Sequence, residues 1–174
     1  NGGFDTSFTV PSVEDQELSF RLAQKGYKLS FAQHAIVFHI HDRNVGEYWK
    51  RKFGIGYWKA YMLRWLPQKT FNDSHTSPSQ RWQIGFLGLT IFSLLLSILR
   101  PEFLLVALAA AIAFFGTGLP FMYFVFRRDF LVGLITPFML LVRAAALGAG
   151  LVVGFIMPPR AQAHGRPALP IGAF

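Results

Sequence analysis

Three long apolar runs, at 84–99, 103–126 and 130–157, follow one another with polar breaks of no more than three residues. A helix crossing a hydrocarbon core needs roughly 20 apolar residues, range about 17–25. The second run meets that length. The first reaches it only by including Trp82, a residue suited to the headgroup level. The third is over-long and must tilt, bend or protrude. Half of the chain can therefore be solvated only by lipid or by other apolar protein. One ordinary soluble domain is set aside.

The other half differs in kind. Residues 1–83 carry 11 Lys/Arg and 7 Asp/Glu, a net of +4, and residues 84–174 carry 6 and 2, also +4. In the first half the cations alternate with bulky aromatics along one helical stretch. That pattern suits an anionic membrane surface, so membrane lipids are the expected partner and nucleic acid is not. With no cysteine there are neither disulfides nor thiolate metal sites. The opening Asn1-Gly2-Gly3 reads as the middle of a domain, so the chain is expected to be a piece of a longer protein.

Local signals divide the first half further. Ser12 followed by Asp15 resembles a capping box, and Val13, Leu18, Leu22 and Ala23 supply an apolar stripe for a helix of about three turns. Gly26 ends that helix as its C′ residue. Segments 27–31 and 35–40 are short, β-branched or aromatic, and read as strands. Asn44 and Glu47 form a second N-terminal signature, opening a helix that runs to about Leu66 and stops at Pro67. Its Tyr, Trp and Phe residues with Lys50, Arg51, Lys52, Lys59 and Arg64 predict an amphipathic helix in the headgroup plane. The expected organisation is thus a catalytic part over 1–43, an interfacial helix over 44–66, a linker over 67–83, a transmembrane region of about three helices over 84–157 and a disordered tail over 158–174.

Charge sets the orientation. Arg127 and Arg128 lie between the second and third runs, and positive-inside counting places that turn and residues 1–83 in the cytoplasm. Arg143, midway in the third run, is costly in hydrocarbon and must face protein, water or a lipid headgroup. An anionic lipid-linked substrate is its functional reading; snorkelling or a contact to a helix end is the structural one. The neighbouring Ala144, Ala145, Ala146, Gly148 and Gly150 suit close helix packing.

Chemistry is concentrated near the start of the chain. Glu14 and Asp15 are adjacent carboxylates at a helix N-terminus, about 100° apart around the axis, so one can face a cleft while the other holds local structure. A general base needs such a carboxylate within reach of the proton it removes. Acids are also common at helix starts for capping reasons alone. His34, His39 and His41 cluster around the second predicted strand, where His39 and His41 share a face. Two imidazoles can ligate Mn²⁺ or Zn²⁺, and equally can be a surface pair.

The string GGFDTSFTVPSVEDQELSFRLAQKGYKLSFAQHAIVFHIH resembles the C-terminal catalytic half of the family 2 glycosyltransferases of GT-A fold. The later Lys52-Phe53-Gly54-Ile55-Gly56 is similar to that family's basic–aromatic–glycine segment before its membrane helices. The resemblance covers about residues 1–60. It implies an α/β fragment, the C-terminal part of a GT-A type domain, followed by an all-α transmembrane region. It further implies a membrane-bound inverting transferase, with a nucleotide-sugar donor, Mg²⁺ or Mn²⁺ on the diphosphate, and a lipid-linked or glycan acceptor. Asp15 would be the general base and Glu14 its partner. Gly2, Gly3, Phe4 and Asp5 would form the loop beside the donor sugar, and His39, with His41 as the alternative, would help to hold the metal. Thr6 stands where the family often has Glu, Gln80-Arg81-Trp82 lacks the spacing of the processive synthases, and no Asp-x-Asp motif is present, so this piece alone is expected to be inactive. Two other readings are a non-catalytic membrane scaffold and a transport module with Arg143 on the pathway.

Overall fold

The structure, a computed structural model, describes residues 3–38, 40–70 and 75–158. Its helices are α1 (Glu14–Gln24), α2 (Val45–Trp65), α3 (Pro78–Ser97), α4 (Phe103–Arg128) and α5 (Phe130–Ile156), with a short 3-10 turn at Pro67–Thr70. No strand occurs among the described residues, so the expected α/β fragment of a GT-A type domain is absent and the fold is helical throughout. The segments 27–31 and 35–38 run as irregular chain with a turn between them, closed by the Ala35 N–H on the Ala32 carbonyl at 3.1 Å. Their residue types favour strands, but two short strands alone are marginal in water and need further strands or a helix to cover them. Here nothing does: Phe31 and Phe38 are 92% and 97% exposed.

Capping chemistry explains the helix boundaries. Asn44 accepts the Glu47 N–H at 2.9 Å, and the Glu47 carboxylate turns back to the Arg43 N–H and the Asn44 amide, closing a reciprocal cap on α2. At the end of α1, Gly26 has φ +82°. Its N–H reaches the Ala23 carbonyl while that of Tyr27 reaches Leu22, a Schellman arrangement that an L side chain at Gly26 would strain. The start of α1 differs from expectation. Ser12 does not cap it; the cap position is Val13, and the Ser12 hydroxyl instead meets the Gly54 carbonyl of α2 at 3.3 Å. Tertiary contact with α2 thus replaces the local cap. Helix α3 opens at Pro78 behind Ser77, ahead of the apolar run, and a single residue, Asp129, joins α4 to α5 and caps the latter through the Val132 N–H.

Two cores result. In one, Val13 and Phe20 of α1 and the preceding Phe8 pack on Trp58, Tyr61 and Met62 of α2 and on Leu66, with Phe8 at 5.2 Å from the Trp58 ring. In the other, Phe114 and Met122 of α4 meet Leu140 and Ala144 of α5, flanked by Ile84, Phe86 and Leu87 of α3. Helices α4 and α5, of 26 and 27 residues, are long and apolar enough to cross a membrane. Only 22% and 39% of their most apolar windows are buried within the chain, whereas a core helix of a soluble protein is mostly buried. The remaining surface, including Leu105, Leu108, Leu131 and Ile135, requires lipid or apolar protein.

The cores are joined where α2 lies along the second half of α5, and they touch backbone to backbone. A Cβ on Gly150 would stand 2.1 Å from the Phe53 carbonyl oxygen; one on Gly154 would stand 2.5 Å from that of Tyr57; one on Gly56 would stand 2.2 Å from that of Leu147. Gly150 and Gly154 form a small-xxx-small ridge on α5, and Gly56 and Ala60 form another on α2. Beyond the ridge, Arg64 of α2 donates to the Phe155 carbonyl at the end of α5. Gly150→Leu should therefore separate α2 from α5 and lower stability by about 1–3 kcal/mol or more. Gly148→Ala, whose Cβ would meet only Ile84 Cγ2 at an ordinary 3.4 Å, should stay within about 0.5 kcal/mol of the parent. Thermal unfolding in detergent micelles checks both.

Candidate functional site

Chemistry-bearing side chains gather in two places. The first is the approach to α1. Asp5 folds its own loop, accepting the Ser7 N–H at 2.9 Å on Oδ1. Gly3 has φ +66°, a conformation that favours glycine. The Arg21 guanidinium donates to the Gly3 carbonyl at 2.7 Å and pairs with Glu17 at 2.9 Å, so the loop is tied to the helix. The hydrogen bond to Glu17 holds Arg21 above its ordinary pKa; burial opposes this, and the charges of Glu17 and Asp5 add to it. Phe4 is exposed.

The two carboxylates at the helix start divide as adjacent residues on a helix must. Glu14 turns back and accepts the Ser12 N–H. Asp15 lies exposed on the side away from the buried Val13 and Phe20, with Oδ1 on the Gln16 N–H at 2.7 Å. Ser12 and Gln16 fix this end of α1 to α2, the latter through Lys59 Nζ at 3.0 Å. Of the other expected site residues, Gly2 and His39 lie outside the described residues. Among the described residues no group of three or more His, Cys, Asp or Glu stands together where it could hold a metal ion.

The second place is the seam between α2, α3 and α5. Arg143 of α5 donates to Gln83 Oε1 at 2.7 Å, and Gln83 is buried in the second turn of α3. Gly118 of α4 leaves room for that amide: a Cβ there would lie 3.1 Å from Gln83 Nε2. On the α2 side, the Tyr48 ring has Lys52 Nζ at 5.4 Å and Arg51 Cζ at 5.6 Å from its centroid. Arg51 also binds both carboxylate oxygens of Asp42 through Nε, at 2.9 and 3.0 Å. That hydrogen bonding raises the Arg51 pKa. Burial raises the Tyr48 hydroxyl pKa, against the charges of Arg143 and Arg51. Burial also pushes the Lys52 ammonium down, and the same two guanidiniums push it further in that direction while Asp42 opposes them. A pocket of about 360 Å³ is lined by residues 41–45, Tyr48, Arg51 and Met139, and so lies beside the seam at Tyr48 and Arg51.

Sequence reasoning singled out Arg143 but not its partner, because Gln83 falls at the end of the predicted linker rather than inside a helix. The buried amide directly after Ser79-Gln80-Arg81-Trp82 had one available signal: it is the last polar side chain before the apolar run. Comparison with protein-family models, with curated proteins and with solved structures finds no match to this chain.

Removing Gln83 alone should cost about 1–3 kcal/mol, because a partly buried guanidinium loses its acceptor. Gln83→Leu combined with Arg143→Leu should recover most of that loss, since apolar replacement of both partners is nearly neutral. A double-mutant cycle from chemical denaturation in micelles measures the coupling, and strictly additive losses would show that the pair is not one.

Proposed function

We propose that this chain serves membrane-bound, inverting glycosyl transfer from a nucleotide-sugar donor to an acceptor hydroxyl at the cytoplasmic face of a membrane, expected to be the plasma membrane. The observation that carries the reading is Asp15: an exposed carboxylate at the start of a helix that is itself pinned to a membrane-associated bundle. The ordered resemblance of the string around it adds the reaction class. The acceptor, glycan or lipid-linked, is held near the bilayer because α1 docks on α2 and α2 on α5.

In this reading the Asp15 carboxylate takes the proton of the acceptor hydroxyl. The acceptor oxygen forms the new bond to the anomeric carbon, and the bond from that carbon to the diphosphate oxygen breaks on the opposite side. The nucleoside diphosphate leaves with the electron pair. Glu14 keeps the helix entrance in shape through the Ser12 N–H, and Arg21 holds the Gly3–Asp5 loop against the helix. The described residues supply no ligand set for Mg²⁺ or Mn²⁺, so a donor diphosphate would draw its metal ligands from elsewhere.

One observation favours a second reading, a non-catalytic membrane scaffold: the helical fold leaves the described residues without a sheet on which a nucleotide would sit. The two part on a single substitution. Asp15→Asn, made in the protein expressed from its complete gene and assayed in native membranes, should reduce transfer roughly 100- to 10,000-fold with donor binding retained. Unchanged transfer, or none in the parent, would sink the catalytic reading and leave the scaffold.

A further inference from the structure

The seam between α2 and α5 concentrates positive charge that the described residues do not neutralise. Asp42 is taken by Arg51, and Glu47 by the start of α2. Lys52 and Arg143 have no ion-pair partner among the described residues. Arg143 has only the neutral amide of Gln83, and its Nε is buried with no hydrogen-bond partner. A buried guanidinium N–H without an acceptor is costly, and an anion is the partner that relieves it.

The surroundings say what the anion is attached to. The pocket beside the seam is lined by Arg43, Tyr48 and Arg51 and by Met139 of α5. From Met139 the surface of α5 continues as exposed apolar side chains, Phe138, Ile135 and Leu131, on a helix long enough to cross a membrane. A ligand that followed these walls would be anionic at one end and apolar along the rest.

We propose that the Lys52–Arg143 seam, next to the pocket that Arg43, Tyr48, Arg51 and Met139 line, binds the phosphate head of a membrane lipid, whose chain lies along the first half of α5. The phosphoryl oxygens accept from Lys52 Nζ and from the Arg143 guanidinium, while Arg51 stays on Asp42 and Tyr48 holds the cations in register. The site does not depend on transfer by Asp15, and its test reads binding alone.

The probe is dioleoyl phosphatidic acid, titrated against the delipidated full-length chain in neutral detergent, with dioleoyl phosphatidylcholine as reference and inorganic phosphate as competitor. Phosphatidic acid should bind at least about tenfold tighter than phosphatidylcholine, and Lys52→Gln should remove about that factor while leaving phosphatidylcholine unchanged. The Gln83→Leu/Arg143→Leu pair, which keeps the seam packed, should do the same. Lys59→Gln, on the part of α2 that faces α1, should change nothing. Equal binding of the two lipids would overturn the proposal. So would an equal loss from Lys59→Gln, which would mark diffuse attraction to a basic helix. Inorganic phosphate binding as tightly as phosphatidic acid would also overturn it, by making the occupant a free anion. If the double variant fails to fold, as judged by its helical circular dichroism, Lys52→Gln decides alone.

Discussion

The structure depends on how closely two backbones can approach. Gly150 and Gly154 on α5 and Gly56 on α2 bring the helices into contact with no side chain between them, at positions where a Cβ would stand 2.1–2.5 Å from a carbonyl oxygen. Such contacts gain dispersion and exclude voids, but they tolerate no intervening atom. Helices α1 and α2 join the apolar helices mainly through this crossing. Helix α1 packs on α2 through Val13 and Phe20, and Arg21 carries the Gly3–Asp5 loop with it. The exposed carboxylate of Asp15 is therefore positioned by a glycine ridge 135 residues away in the sequence.

The same approach explains the polar seam. Because α2 lies along α5, its cations Arg51 and Lys52, both beside the Tyr48 ring, come to the level of Arg143, and Asp42 pairs with Arg51. Burial does most to depress the Lys52 pKa, and repulsion from Arg51 and Arg143 adds to it. A fold optimised for stability alone would place apolar side chains here. Retaining unneutralised charge next to an apolar helix surface is the arrangement expected where something outside the chain completes the site.

Where residues act on their near neighbours, the sequence was readable. Asn44 with Glu47, Gly26 at the end of α1 and the stop at Pro67 all work within one turn of helix, where few atoms decide the outcome. The small residues around Gly150 announced a close contact without naming its partner. The reading failed where pairing is non-local. Segments 27–31 and 35–40 have strand-like residues, but a strand exists only through a ladder, and no partner strand lies among the described residues. Ser12 misled in the opposite way: its type fits a helix cap, and the Gly54 carbonyl of α2 claimed it.

The candidate sites divide along the same line. Asp15 and Glu14 could be picked out from their place at a predicted helix start, and their division into an exposed and an inward-turned carboxylate follows from helix geometry. The seam could not, since Tyr48, Lys52, Gln83 and Arg143 stand on three helices and meet only after α2 has docked. By itself the sequence determined the apolar runs, the Asn44 and Gly26 caps and the adjacency of the two carboxylates, because each is a property of residues within a few turns of one another. Which helix α5 would accept, what Arg143 would bond to and whether the aromatic segments would become strands were decided only by tertiary structure, because each depends on contacts between residues far apart in the chain.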